Sequence, residues 1–382
     1  LKKALIVSSV ASMIKIFNMD NIRILLSLGY EVDVATNFDN PGTISLADSK
    51  KLIEELREMS VGCFQIDFSR NVTDFKMIIK SFKQLRQLSL KDYDIMHCHS
   101  PIGGALARMA FKNKKTSIMY TAHGFHFFRG GPIKDWILYY PVERYLSRYT
   151  DYLLIINDGD ASVAKKFKAT QVIQLPGVGI DWEKYNIVIS ENEKKELKRK
   201  FKIDKSTKVM ISVGELNNNK NHILGIKAVK ELSKYDLEYI ICGIGQERES
   251  LIEKSKELGV IDKVHLLGFR NDIEKIYKIC DICLFPSKRE GLGLAGLEAM
   301  ASGLPLVTSS VGGIKDYMTN GRTGYMFSDL VNPKELVAAV EKILEMDSLK
   351  LNEISNYNKA VSKKYDKENV SGLMRKIYKE IH

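Results

Sequence analysis

The sequence predicts an α/β protein made of two doubly wound parallel sheets, and three observations carry that prediction. Short apolar runs recur along the chain, each followed by a segment with helical spacing. The runs are apolar throughout rather than alternating, as strands covered on both faces are. The series restarts after LPGVGIDWEKYN, residues 175–186, and 382 residues exceed what one core comfortably serves.

In the first series ALIVSSV, EVDVATN, CFQIDF, DIMHCHS, SIMYTAHG and YLLIIND read as strands. Helices are expected after the first strand through about Leu28, from about Asn71 to Leu88, over GGALARMAFK, and from about Ile133 to Arg148. In the second series VMISVG, EYIICG, VHLLGF, ICLFPS, PLVTSS and TGYMF read as strands. Helices there begin near His222 and Gln246, at DIEKIYK, and around Glu298. Between the series, ENEKKELKRKFKIDK reads as a charged helix with a solvated face. The expected domains are 1–180 and 181–365, with a C-terminal helix over 366–382 packing back on the first.

Composition excludes several classes. Hydrophobic content of 45% and charged content of 27% are ordinary for a soluble globular protein. No run approaches the roughly 18 apolar residues of a membrane-spanning helix. The start, LKKALIVSSVASMIKIF, is too mixed for a secretory signal and reads as a buried strand. Five irregularly spaced cysteines suit reduced thiols in a cytoplasm rather than a disulfide framework. The lone CxxC of Cys280 and Cys283 reads as small buried residues, since no second pair or His accompanies it.

The formal charge of +11 is uneven: from Arg70 to Arg148 fourteen Lys and Arg face five Asp and Glu. In TDFKMIIKSFKQLRQLSL the spacing puts Phe75, Ile78, Ile79, Phe82 and Leu85 on one stripe, expected to pack on the sheet. Lys76, Lys80, Lys83 and Arg86 lie largely off it, a basic face suited to anionic lipid. Among Phe125, Phe127, Phe128 and Trp136, beside Arg129 and Lys134, some are expected to dip into the lipid interface.

The stretch EGLGLAGLE, residues 290–298, carries the chemistry. It follows the strand ICLFPS and opens a helix, the position where open parallel sheets bind ligands. Glycine there lets backbone N–H groups approach an anion, and the helix start favours negative charge. Gly291, Leu292, Gly293 and Leu294 thus form a candidate phosphate cradle, flanked by Glu290 and Glu298 as partners for hydroxyls. A nucleotide sugar has both features. Spacing alone weighs this equally against a glycine-rich helix start with two surface acids.

The E-x7-E pattern followed by EAMASGLPLVTSSVGGIKDYMTNGRTGYMF resembles the retaining glycosyltransferases of family 4. The resemblance continues in LPGVGID, SVGELNNNKNH, ICGIGQERESL and LGFRNDI. In the first half, KALIVSSVASMIKIFNMDNIRILLSLGYEVDVATN, DIMHCHSPIGG and YTAHGFHFF resemble the branch that builds bacterial capsule and exopolysaccharide repeat units. It implies a GT-B fold, two Rossmann-like domains facing a cleft, with acceptor bound by the first and nucleotide sugar by the second. It implies same-face transfer of a sugar from a nucleoside diphosphate, UDP by preference, to a polyprenyl-diphosphate-linked acceptor. An N-acetylated amino sugar is the donor suggested by the branch. The enzyme would work without a metal, in the cytoplasm, peripheral to the inner face of the cell membrane.

The resemblance also implies roles. Glu298 would hold the ribose hydroxyls and Glu290 the donor sugar's C3 hydroxyl. Lys220 would neutralise the leaving diphosphate, and His123 would stand at the reacting face of the sugar. Arg270 marks a segment whose backbone contacts the base, and Gly245 and Gln246 lie on a loop at the same site. Two departures stand out. Glu215 occupies the place of the family's usual Arg, and an acid cannot bond phosphate as Arg does; Lys288 and Arg289 are candidate replacements. The first loop reads SSVASMIK where many relatives have Gly-Gly.

The pair His97 and His99 shares one strand face, a spacing open to a metal. Without a carboxylate cluster or Asp-x-Asp motif, a hydrogen-bonded strand-end pair is the stronger reading. Gly103-Gly104 reads as a close helix start, and Gly312-Gly313 as close packing or a sugar contact. Two other classes remain: a nucleotide-sugar-binding protein that does not transfer, such as an epimerase, and a glycoside hydrolase using Glu290 and Glu298.

Overall fold

The computed structural model describes residues 1–69, 71, 73–128 and 131–381. The chain forms two compact units, Leu1–Val178 joined by the segment from Glu368 onward, and Gly179–Lys367. In the first unit the strands are β1 (Lys3–Val7), β2 (Glu31–Thr36), β3 (Gly62–Gln65), β4 (Ile95–His99), β5 (Ser117–Ala122), β6 (Tyr152–Ile155) and β7 (Gln171–Gln174). They form a parallel sheet in the order β3-β2-β1-β4-β5-β6-β7. The second unit holds β8 (Lys208–Val213), β9 (Leu237–Cys242), β10 (Val264–Gly268), β11 (Ile282–Phe285), β12 (Leu306–Ser309) and β13 (Gly324–Phe327). Their order is β10-β9-β8-β11-β12-β13, again parallel. Both sheets are doubly wound. The strand order reverses between β1 and β4 in one, and between β8 and β11 in the other.

The uninterrupted apolar strands are covered on both faces. Ala4, Ile6, Val32 and Val34 face one layer of the first core; Leu5, Val7, Met96 and Cys98 face the other. The C-terminal helix, Lys367–Glu380, completes the first of these layers with Val370, Met374, Ile377 and Tyr378. The helix Glu191–Lys200 buries no residue, as its charge pattern predicts.

Sequence and structure part company in several places. Strand β7 has no counterpart in the sequence reading: it is a short edge strand, Gln at both ends, and largely exposed, so it lacks the apolar run that marks its neighbours. The first helix is two, Ala11–Phe17 and Met19–Ser27, broken where the Asn18 side chain donates to the Met13 carbonyl. The helix expected from Asn71 runs Phe75–Leu88, started by Asp74, whose side chain accepts from the Met77 amide.

That helix also corrects the predicted stripe. Phe75 and Ile79 are 71% and 55% exposed, while Ser81, Leu85 and Leu88 are buried. The covered face is centred about one residue further on, and the outer edge of the stripe is left apolar and bare. Phe125 and Phe127 are not lipid-facing either. They stack on each other, centroids 5.0 Å apart, and pack with Phe167 in the core. Trp136 also joins that core and donates to the Phe128 carbonyl. Arg129, the cation placed beside them, lies outside the described residues.

The helix Ile133–Leu146 continues through Pro141. Proline cannot donate to the carbonyl four residues back, that of Ile137. Ile137 is 71% exposed, so water can take that acceptor. Among the described residues no helix is long and apolar enough to cross a membrane.

Candidate functional site

In the second unit the predicted residues gather on loops at the carboxyl ends of β8, β9, β10 and β11, around the reversal of strand order. The loop after β8 is asparagine-rich for a reason. The Asn217 side chain accepts from the Lys220 amide at 3.0 Å, closing a tight turn, and Asn221 adopts a left-handed φ of 54°. The turn delivers Lys220 immediately ahead of the helix His222–Glu231. The lysine stem runs over Gly214, where a Cβ would lie 3.3 Å from Lys220 Cδ and Cε.

Across the reversal, Lys220 Nζ meets Glu290 Oε1 at 2.5 Å, and both side chains are mostly buried. The same two loops are laced three more times. The Lys288 amide donates to the Asn219 carbonyl at 2.7 Å, Asn219 Nδ2 donates to the Arg289 carbonyl at 3.0 Å, and Lys288 Nζ bonds the Asn218 side chain. Lys288 and Arg289 therefore stand on the loop that faces Lys220. Glu215, in the place of the usual Arg, is exposed.

The glycines of EGLGLAGLE have separate jobs. Gly293 is the residue before the helix Leu294–Ala301 and has φ 85°; a Cβ there would lie 2.6 Å from the Phe285 ring. Gly296 lets Tyr317 lie against the helix, its hydroxyl 2.6 Å from where a Cβ would be. Leu292 is buried, while Gly291 and Leu294 are partly exposed. Its N-cap, Gly293, has no side chain to cap it and its first turn carries no acid, so its first amides and positive end suit an anion. Gly312, at φ 50°, passes so close to Glu290 that a Cβ would sit 1.9 Å from the Glu290 carbonyl oxygen. Of the two readings of the Gly312-Gly313 pair, close packing accounts for Gly312.

Glu298 lies one turn inside the helix and is partly buried. Burial pushes its carboxyl above the usual carboxylate range, opposed by a hydrogen bond from the Tyr185 hydroxyl and by nearby Lys184. Tyr185 escaped the sequence reading; it comes from a short helix, Trp182–Tyr185, more than a hundred residues away in the chain. Arg270 is held by Asp272 through two bonds of 2.8 and 2.5 Å, so its guanidinium is occupied and its segment is fixed. Gly245 is a close approach: a Cβ would lie 2.4 Å from the Leu216 carbonyl oxygen, which joins the β9 loop to the β8 loop.

The first unit carries its own constellation at its own reversal. Ser9, after β1, and Ser100, after β4, join hydroxyls at 2.8 Å, and Ser9 Oγ accepts from the Gly103 amide at 2.9 Å. A Cβ on Gly103 would lie 2.9 Å from the Ser9 amide, and one on Gly104 2.8 Å from the Tyr120 ring. Both glycines therefore let the helix Pro101–Phe111 pack close. His97 bonds Tyr378 and Thr121, each at 2.7 Å, and His99 Nδ1 stands 3.1 Å from His123 Nε2. These contacts pair both ring nitrogens of His97 and Nδ1 of His99. Burial pushes His97 down to about 3 and His123 down to about 4, and holds His99 well below the usual range. All three rings are neutral at pH 7. Cys280 and Cys283 are free thiols; burial pushes Cys283 up to about 12, as inert core cysteines require.

Comparison with known proteins identifies the family. "Glycosyl transferase 4-like" matches residues 7–157 and "Glycosyl transferases group 1" matches residues 193–361. The putative glycosyltransferase EpsD of Bacillus subtilis is 32% identical over 333 residues, covering 85% of this chain and 83% of that protein. The UDP-Gal:alpha-D-GlcNAc-diphosphoundecaprenol alpha-1,3-galactosyltransferase of Escherichia coli is 27% identical over 290 residues, covering 73% of this chain and 74% of that one. Among solved structures, a glycosyltransferase from Rickettsia africae superposes with a TM-score of 0.79 at 16% identity, covering 100% of this chain and 98% of that one. With a 4-like match over the first doubly wound unit and a group 1 match over the second, the chain belongs to the GT-B glycosyltransferases of the family 4 type.

Proposed function

We propose that this glycosyltransferase is retaining and metal-independent, and moves a sugar from a UDP-sugar to a polyprenyl-diphosphate-linked acceptor in capsular or exopolysaccharide synthesis. The Lys220–Glu290 pair, set at the strand-order reversal beside an uncapped glycine-opened helix, carries this reading. The donor diphosphate would lie on the amides from Gly291 to Leu294 and draw Lys220 toward it. Glu290, released from its lysine, would then accept from the sugar's C3 hydroxyl. Glu298, held by Tyr185, would take the ribose hydroxyls, with the base against the backbone near Arg270 and Gly245. Lys288 and Arg289 supply the cation that Glu215 does not. On the first unit, His123 is assigned to the reacting face of the sugar.

In the reaction the bond from the anomeric carbon to the phosphate oxygen breaks, and a bond to the acceptor oxygen forms on the same face. The acceptor proton passes to the departing phosphate oxygen. Lys220 and the helix amides stabilise the charge that develops there. The E. coli relative is named for both a UDP-sugar and a diphosphoundecaprenol-linked acceptor, which supports the two substrate classes. The test is a panel of UDP-sugars, N-acetylated ones included, with a lipid-linked saccharide acceptor, reading UDP release and product anomeric configuration. UDP release that requires acceptor, with configuration kept, supports the reading. Epimerisation of a donor without acceptor, or hydrolysis of a glycoside without nucleotide, overturns it.

A lipid-linked acceptor keeps its reacting end at a bilayer, and we assign the enzyme to the inner face of the cell membrane. The first unit has a surface that suits it. The helix Ile133–Leu146 exposes Ile133, Ile137, Leu138 and Val142 at 78, 71, 55 and 47%. The helix Phe75–Leu88 adds Phe75 and Ile79, and both helices pack against Pro101–Phe111. Exposed Lys76, Lys83 and Lys134 stand among these residues. Apolar residues ringed by lysines match an anionic lipid surface.

A further inference from the structure

The hydrogen bond between His99 and His123 has a direction that the rest of the site settles. His99 is 1% exposed at the end of β4, and its Nε2 is buried with no partner among the described residues. Its ring lies 4.2 Å from the ring of His97, which Tyr378 and Thr121 pin at both nitrogens. His99 is thus fixed from behind and meets His123 only through Nδ1, at 3.1 Å. A neutral imidazole has one N–H and one bare nitrogen. If His123 donated, His99 would carry its proton on Nε2, a buried N–H with nothing to bond. Orphaned buried N–H groups are rare because the donor loses its water bonds without replacement. If His99 donates from Nδ1, the orphan at Nε2 is only a bare acceptor.

We propose that His99 is a positioning residue that fixes His123 in the tautomer bearing its proton on Nδ1, so that His123 offers the substrate an N–H donor. The inference rests on the assignment of His123 to the reacting face of the sugar, and adds what that ring presents there. A donor at this point serves a sugar hydroxyl or ring oxygen. It cannot act as the base that takes the acceptor's proton, which leaves that role to the departing phosphate. Phe17 holds the other side of the His123 ring, with centroids 5.5 Å apart, so the ring has packing as well as a hydrogen bond to orient it.

The tautomer is read directly from long-range proton–nitrogen correlations of the whole protein labelled with ¹⁵N-histidine. The expected result is His123 protonated on Nδ1 and His99 on Nδ1; His123 protonated on Nε2 in the wild type overturns the proposal. Two variants test its use. In His99→Asn the amide stands near the place of Nδ1 and donates in its stead. In His99→Leu the volume is filled and the donor is gone. With the UDP-sugar that turns over best in the donor panel, kcat/KM should fall about 2- to 13-fold for His99→Leu, the worth of one neutral hydrogen bond, and by clearly less for His99→Asn. Both should be folded by thermal denaturation. A packing role reverses the order, with Leu tolerated and Asn not, and overturns the proposal. Normal turnover in His123→Ala overturns the assignment of His123 itself, while the nitrogen spectra still report the tautomer.

Discussion

Lys220→Met separates the charge of Lys220 from its packing. The methionine keeps an unbranched stem over Gly214, so the turn from Asn217 to Asn221 should be unchanged. What is lost is one cation, 2.5 Å from Glu290 Oε1, with 21% of its side chain exposed. Two costs follow, and they fall on different steps. In the free enzyme Glu290 loses its partner, which loosens the lacing between the β8 and β11 loops. During transfer the departing diphosphate loses a preorganised charge, and groups of that kind are worth about 10²–10³ in kcat. Donor affinity should change less than turnover, because the charge on the phosphate grows as the bond breaks. The assay is steady-state UDP release with acceptor saturating, alongside UDP titration by calorimetry. A kcat within about threefold of wild type would refute the assignment. It would point to Lys288 or Arg289, which stand on the facing loop and are the proposed replacements for the cation absent at Glu215. A lost kcat with melting temperature preserved places the effect in the chemistry.

Four further outcomes are expected. Glu298→Ala should weaken UDP binding about 10- to 150-fold, one charge-assisted hydrogen bond's worth, with turnover at saturating donor less affected. Glu298→Gln should stabilise the ligand-free protein at neutral pH. Burial raises the Glu298 carboxyl in the folded state, so wild-type stability falls as pH rises from the ordinary carboxylate value of about 4.3 through the folded value. The melting-temperature advantage of the glutamine variant should therefore vanish in acid; an advantage equal at all pH would sink the argument. Arg108 and Glu143 form a buried pair at 2.8 Å, with the guanidinium 3.9 Å over the Tyr120 ring. Glu143→Leu alone should cost about 3–5 kcal/mol in denaturant unfolding, and Arg108→Met added to it should recover most of that. Replacing Ile133, Ile137 and Leu138 by Ser should reduce sedimentation with anionic vesicles by more than about tenfold, since each buried side chain contributes about 1.5–3 kcal/mol. UDP affinity should not change, and equal binding to neutral vesicles would remove the electrostatic part.

Much of the candidate site is local in the chain, and that part was legible. The positions of Glu290, the glycines and Glu298 follow from one strand, one turn and one helix start. What was not legible depends on contacts distant in sequence. Tyr185 reaches Glu298, and Tyr378 reaches His97 across 281 positions; nothing in either local pattern marks the partner. The helix Phe75–Leu88 shows the limit of periodicity. Its apolar stripe was correctly placed on the helix, but a stripe wider than the contact leaves one edge bare. Only the packing of Ser81, Phe82 and Leu85 identifies Phe75 and Ile79 as that edge. Phe125 and Phe127 failed in the opposite sense. Aromatics in a polar loop look like surface, yet the loop folds them beneath itself, where Phe167 and Tyr140 complete a cluster. Strand β7 was missed because an edge strand needs no apolar run.

The two units bring polar side chains together at the same topological point and equip it differently. In each, the reversal of strand order leaves a crevice beside the first strand, and the loops on its two sides touch across it. In the second unit the touching groups are Lys220 and Glu290, a charged pair that a diphosphate and a hydroxyl can take over one partner each. In the first they are Ser9 and Ser100, uncharged hydroxyls, with Ser9 already capping the Gly103 amide. In the second unit the corresponding helix starts at Gly293, which has no side chain to cap it. A Gly-Gly in place of Ser8-Ser9 would have neither the cap nor the hydroxyl pair. The first crevice is thereby a poorer anion site than the second, although the backbone is alike. Fold supplies the position, and the proposed division of donor and acceptor between the units rests on which side chains stand there.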